Sequence, residues 1–237
     1  MNGRASALCQ GGHVQMKKIK ALLFDLDGLI FDSEKVYYRC WKQAVEDYGY
    51  TISRETLLSL RSSDPTVARQ RLESGIGAEG VYDKIRARRK EIMKPYLTQQ
   101  EPELKEGVVQ FLRMVHALPS VRKAVVTQSR KNEKELLLRK AGLLDLFDEV
   151  VSAEDVKRGK PYPDIYEYAC RKLGLRPEEC IAYEDSPNGI ISAHDAGINA
   201  IMIPDMSQPD EELRQICFGV FPTLVDSFAA IEPMLKI

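Results

Sequence analysis

Two aspartates separated by one residue and followed by glycine, Asp25-Leu26-Asp27-Gly28, close the apolar run Ala21-Leu22-Leu23-Phe24. Such a run reads as a buried, parallel β-strand. The carboxyl end of a strand is where open α/β sheets bind ligands. A turn or helix cap made from Asp-Gly accounts for one carboxylate but not for both, and an unpaired buried charge is costly. Other polar residues follow later apolar runs: Thr127 and Ser129 after Lys123-Ala124-Val125-Val126, and Glu184 and Asp185 after Ile181-Ala182-Tyr183. Lys160 lies in Lys157-Arg158-Gly159-Lys160-Pro161, beyond a further strand. Parallel strands gather these ends on one edge. Four acidic side chains crowded there raise one another's pKa unless a cation intervenes, and hard oxygen donors suit Mg²⁺ far better than zinc or iron. Mg²⁺, Lys160 and a hydroxyl together make a receptor for a dianionic phosphoryl group.

The elements that must position these groups follow from periodicity. From Glu34 to Tyr48 apolar residues recur at helical spacing, with Trp41 as a core anchor and Gly49 as the stop. A second helix begins near Ser53. A third is announced by Asp64-Pro65, an N-cap with proline at the first helical position. A longer helix is outlined by Val81, Tyr82, Ile85, Ile92, Met93 and Tyr96. Its run Arg86, Arg88, Arg89 and Lys90 reads as a solvated face. From about Lys105 onward helices and strands alternate, which implies βαβ units and a doubly wound, Rossmann-like parallel sheet. The expected organisation is a disordered tail over 1–17, an α/β core over 18–33 and 104–237, and an all-helical cap over 34–103. Because the insertion leaves just after Asp27, it should sit over the site as a lid.

Length and composition set the remaining bounds. The chain has 237 residues, enough for one core and a smaller insert. A formal net charge of -1 offers no bulk attraction to nucleic acid or an anionic membrane. No apolar run approaches the ~20 residues that span a bilayer. Met1 to Lys20 lacks a signal peptide's apolar region, and Met16 reads as an alternative start or as the boundary to the fold. The five cysteines lack CxxC spacing and the three histidines are dispersed, which fits reduced thiols in a cytoplasmic protein rather than a zinc site. Nothing calls for an obligate protein partner.

Asp25-Leu26-Asp27-Gly28, Thr127, Gly159-Lys160-Pro161 and Glu184-Asp185-Ser186, in this order, resemble the four motifs of the haloacid dehalogenase superfamily over almost the whole chain from Lys18. The helical insert resembles that superfamily's C1-type cap. Phe31-Asp32-Ser33-Glu34 and Lys160-Pro161-Tyr162-Pro163-Asp164 are similar to the β-phosphoglucomutase subgroup and its sugar-phosphate phosphatases. The resemblance implies that Asp25 is the nucleophile and forms an aspartyl-phosphate, and that Asp27 is the general acid and then the base for water. Such a double role wants a carboxyl held neutral, and a closed cap would raise its pKa. Thr127 would bond a phosphoryl oxygen, helped by backbone N–H groups about Gln128, and Gly28 would also lie against the substrate. Asp25, the Asp27 carbonyl, Asp185 and the nearby or alternate ligand Glu184 would hold Mg²⁺. An aspartate at position 27 argues for phosphoester chemistry, because the superfamily's hydrolytic dehalogenases and phosphonatases lack it.

The acceptor of the phosphoryl group is read from the cap. Mutases of the subgroup place a histidine in the first cap helix and a glycine-containing loop with an arginine beside the substrate. Here the histidine position holds Tyr37, and the loop reads Leu60-Arg61-Ser62-Ser63-Asp64-Pro65 without glycine. The expectation is therefore a phosphatase for a small phosphorylated metabolite, with a phosphohexomutase as the alternative and a non-catalytic phosphate-binding module behind both. Tyr37, Arg61 and Arg69 are the candidate substrate contacts.

Overall fold

The computed structural model describes residues 18–99 and 101–235, so the tail expected over 1–17 lies outside the described residues. In chain order the elements are β1 (Ala21–Phe24), α1 (Glu34–Glu46), α2 (Arg54–Ser59), α3 (Pro65–Ile76), α4 (Tyr82–Gln99), α5 (Val108–His116), β2 (Arg122–Thr127), α6 (Lys131–Lys140), β3 (Glu149–Ser152), α7 (Asp164–Leu173), β4 (Cys180–Glu184), α8 (Pro187–Asp195), β5 (Asn199–Met202), α9 (Glu211–Ile216), β6 (Gly219–Val220) and α10 (Leu224–Leu235). The six strands form one parallel sheet in the order β3-β2-β1-β4-β5-β6. This is the expected doubly wound arrangement. Its order reverses between β1 and β4, and at that switch point a crevice opens outside the strand ends.

Alternation along the buried strands divides the core into two layers. Leu22 and Phe24 of β1, Val125 of β2 and Tyr183 of β4 pack with Phe111 and Leu112 of α5 on one face. Ala21, Leu23, Ala124, Val126 and Ala182 meet Ile165 and Ala169 of α7 and Ile190 of α8 on the other. Small residues on this second face let α7 and α8 approach closely. That proximity brings Tyr166 and Asn188 to the strand ends.

Helices α1 to α4 belong to one inserted segment with its own buried cluster, in which Ala44, Val45, Leu57, Leu72 and Ile85 take part. Two strands of chain join it to the sheet, and they pair with each other. Phe31 and Leu104 form an antiparallel bridge, Asp32 N–H donates to Glu103 O at 2.9 Å, and Lys105 N–H donates to Ile30 O at 2.9 Å. No helix among the described residues is long and apolar enough to cross a membrane.

Candidate active site

Asp25 continues the ladder beyond β1, its N–H donating to Tyr183 O at 3.0 Å. This fixes its carboxylate beside the end of β4. Lys160 Nζ stands 2.5 Å from Asp25 Oδ1 and 2.6 Å from Glu184 Oε1, and it donates to Val126 O at 2.9 Å. Tyr166 donates its hydroxyl to the same Glu184 oxygen. One oxygen each from Asp25, Glu184 and Asp185 lies within 4.8 Å of the others. Asp25 Oδ2, Glu184 Oε2 and Asp185 Oδ1 are buried without a hydrogen-bond partner. A single orphaned buried acceptor costs about 1–3 kcal/mol, so one on each of three clustered carboxylates calls for something to satisfy them. A hard divalent cation such as Mg²⁺ fits this all-oxygen donor set.

Electrostatics agree with that fit. Burial raises the Asp25 pKa against the opposing charge of Lys160, with Asp27 adding to the rise. Burial likewise pushes Glu184 up to about 7 despite Lys160, with Asp25 adding. Two glycines make room for the cluster. A Cβ on Gly28, whose φ is +88°, would stand 2.2 Å from Asp185 Oδ2, and one on Gly189 would stand 1.9 Å from Glu184 Oε2. Gly28 therefore serves the packing of the acidic cluster.

Asp27 turns the other way. Its Oδ1 accepts from Lys134 Nζ at 2.6 Å and from Ser33 Oγ at 2.7 Å, and its Oδ2 accepts from Ser129 Oγ at 3.0 Å. Burial works to raise its pKa, but the charge of Lys134 and these hydrogen bonds outweigh it, and the carboxyl is held below the usual range. The expectation of a raised Asp27 pKa under a closed lid is thus overturned, because the site supplies a lysine of its own. Lys134, fully buried on α6, was missed in the sequence. Its signal was spacing: it shares the inward stripe of α6 with Leu137 and Leu138, where an unpaired lysine has no place.

The inserted helices close over both aspartates. Arg61 joins Glu34, at 3.0 Å from Nε to Oε2, to Asp185, which accepts from Nη2. Burial pushes Glu34 up to about 7 against the charge of Arg61, with Asp27 and Asp25 adding. Ser62 beside it adopts φ +47°. The loop thus takes a left-handed residue without the glycine that would accept one at no cost, and backbone strain of roughly 1–3 kcal/mol is characteristic of ligand sites. The Tyr37 hydroxyl accepts from Lys134 at 3.4 Å. Gln128 Oε1 accepts the Lys160 N–H at 2.9 Å, and Thr127 Oγ1 accepts the Ser129 N–H at 3.1 Å. Thr127 and Gln128 are thereby fixed beside Asp25 and Lys160.

A cavity of about 130 Å³ lies between the sheet edge and the helices, with Asp25, Asp27, Tyr37, Arg61 and Gln128 in its wall. Arg69 is not part of it: it pairs at the surface with Asp83 at 2.8 Å and stacks on Tyr82. Trp41, expected only as a core anchor, stacks on Tyr82 and also lines the cavity. The basic run of α4 divides as well. Arg88 occupies a solvated face with Asp47 and Glu91, whereas Arg86 and Arg89 face the cavity, because three residues of helix rotate a side chain through almost a full turn.

Asn188, at the first turn of α8, also escaped the sequence reading. Its Nδ2 donates to Arg61 O at 2.6 Å and to Ser63 Oγ at 3.0 Å, while its Oδ1 accepts from Arg71 at 3.0 Å. Asp64 completes this seam. It caps α3, and its Oδ2 accepts the Gly159 N–H at 2.9 Å while its own N–H donates to Lys160 O at 2.6 Å.

Residues 22–203 match the family model described as haloacid dehalogenase-like hydrolase. Hexitol phosphatase B of Escherichia coli (strain K12) is 30% identical over 79% of this chain and 85% of that protein. Fructose-1-phosphate phosphatase YqaB of the same organism is 29% identical over 78% of this chain and 96% of its own length. Among solved structures, β-phosphoglucomutase from Clostridium difficile superposes with a TM-score of 0.77, covering 92% of this chain and 97% of that one at 20% identity, a likeness of fold. The chain belongs to the haloacid dehalogenase-like hydrolase family, alongside its phosphatases.

Proposed function

We propose that this enzyme is a Mg²⁺-dependent phosphatase that hydrolyses a small phosphorylated metabolite, a sugar phosphate or a compound of similar size, through an aspartyl-phosphate on Asp25. The observation that carries the reading is the opposed environment of the two aspartates. Asp25 faces Lys160 and the acidic cluster, where a phosphoryl group and a cation belong, while Asp27 faces Lys134 and two serine hydroxyls.

Asp25, Asp185 and the Asp27 carbonyl would hold the ion, with Glu184 beside them as a ligand to it or as the partner of Lys160. Bound there, Mg²⁺ supplies charge that neutralises the phosphoryl oxygens. Lys160 adds a second positive charge at Asp25 and is held in place by Val126 O and Glu184. The Thr127 hydroxyl and the backbone N–H groups about Gln128 orient the phosphoryl group for attack by the free Asp25 oxygen. Asp27, held ionised beside Lys134, would take up a proton as the phosphate enters, hand it to the leaving alcohol, and regain one from the water that opens the acyl-phosphate. Lys134, Ser33 and Ser129 keep its carboxyl aimed at that path. The inserted helices serve as a cap, closing through Arg61, Asp64 and Asn188 to exclude bulk water.

The test is phosphate release from p-nitrophenyl phosphate and from β-glucose 1-phosphate, with Mg²⁺ and with chelator. Mg²⁺-dependent release from both supports the proposal. No release in any condition contradicts it, and glucose 6-phosphate forming faster than free phosphate makes the enzyme a mutase.

A further inference from the structure

Each carboxylate of the site has a cation beside it, with five carboxylates sharing three cations. Asp25 and Glu184 share Lys160, Asp27 has Lys134, and Glu34 and Asp185 share Arg61. Arg86 and Arg89, one turn apart on α4, also face the cavity, yet among the described residues neither has a carboxylate within ion-pair distance. Both also line a second cavity of about 430 Å³ that adjoins the first, and Tyr37, Gln128 and Ser129 complete the shared wall.

Arg89 is built in rather than draped over the surface. Its guanidinium sits 5.4 Å from the Tyr37 ring centre and 5.1 Å from that of Trp41, and its Nε is buried without a hydrogen-bond partner. The guanidinium lies over two aromatic rings and its Nε has no acceptor, and a planar guanidinium is suited to bidentate recognition of a carboxylate or phosphate. Lys90 and Arg130 extend the basic wall outward. The Lys90 pKa is lowered, first by partial burial and then by Arg86, Arg130 and Arg89, so these cations repel one another. Glu133 is the acid at this rim, and it lies 4.0 Å from Arg130.

We propose that Arg86 and Arg89 form a subsite for a second anionic group, so that the preferred phosphomonoester carries a carboxylate or another phosphate besides the phosphoryl group that meets Asp25. This deepens the phosphatase reading and rests on it. The two arginines stand where the part of the substrate beyond the ester oxygen emerges toward the cap. They therefore select the remainder of the substrate and take no part in the transfer itself. A substrate with a neutral remainder would leave both charges without a partner at the wall.

The test uses Asp25→Asn protein with Mg²⁺, so that binding is read without turnover. Calorimetry compares glycerol 1-phosphate with 3-phosphoglycerate, which differ by a carboxylate, and fructose 6-phosphate with fructose 1,6-bisphosphate, which differ by a phosphate. In at least one pair the more anionic compound should bind about 10- to 100-fold more tightly, as hydrogen bonds to a charged group allow. Arg86→Met and Arg89→Gln should each bring that ratio toward one, and Arg89→Lys should keep part of it. The two pairs identify which anion the subsite takes. Equal binding within both pairs overturns the proposal, as does a ratio that the substitutions leave untouched. Arg86→Met gives the reading if Arg89→Gln does not fold. Hydrolysis of the same four compounds by the unsubstituted protein is followed in parallel. Its absence alongside a preserved binding ratio would count against the phosphatase reading and in favour of the subsite.

Discussion

Asp25 and Asp27 are two residues apart, and the local backbone sends them into different surroundings. Asp25 keeps an unpartnered oxygen toward the acidic cluster, while Asp27 is engaged by one lysine and two serines. Lys134 decides the second environment, and its removal has a pH-dependent signature. With the lysine present, the Asp27 pKa is depressed, so the pair adds stability above the ordinary carboxylate range and loses it as pH falls. In Lys134→Met burial would dominate and raise that pKa. The ionised carboxylate would then be penalised at high pH and relieved by protonation at low pH. Breaking a buried pair on one side costs about 3–5 kcal/mol. Denaturant unfolding at pH 8 should show a loss of that order, and at pH 5 a clearly smaller one. A loss equal at both values would mean that Lys134 acts by packing alone.

The elements that matter most to closure are α8 and the loop between α2 and α3. Asn188 holds the carbonyl of Arg61 and the hydroxyl of Ser63, and Arg71 holds Asn188 in turn. The bonds cross from the sheet to the inserted helices, so they exist only when the two are together. Asn188→Ala should leave the fold of the sheet intact and open the seam. Amide exchange should accelerate across residues 60–64 while β1 and β4 stay protected, and kcat/KM should fall about 10-fold through loss of one or two net hydrogen bonds. Unchanged exchange at the seam would show that closure rests on Asp64 and Arg61 instead. The paired linkers at Phe31 and Leu104 are the natural pivot for such an opening.

Across the molecule, the parts that were legible were those with a strong local signature. The strand-ending pairs Asp25–Asp27 and Glu184–Asp185 were plain because charge at the end of an apolar run is conspicuous, and the parallel sheet followed from alternating periods. No element was read after Ile203. There β6 has only two residues and α10 carries Pro233 within it, so neither gives a clean period. Lys134, Tyr166 and Asn188 were missed because their value comes from partners far along the chain. Arg86 and Arg89 were read as solvated because a charge run does not reveal which of its members turns inward.

In the proposed reaction Asp25 carries the phosphoryl group. Turnover with Mg²⁺ and a hydrolysable phosphomonoester is quenched by acid, the protein is reduced with borohydride, and its peptides are mapped by mass spectrometry. An acyl-phosphate on an aspartate becomes homoserine under this treatment. Homoserine is expected at position 25, dependent on both substrate and Mg²⁺. Homoserine at position 27, or phosphate release with neither aspartate ever reduced, would contradict this.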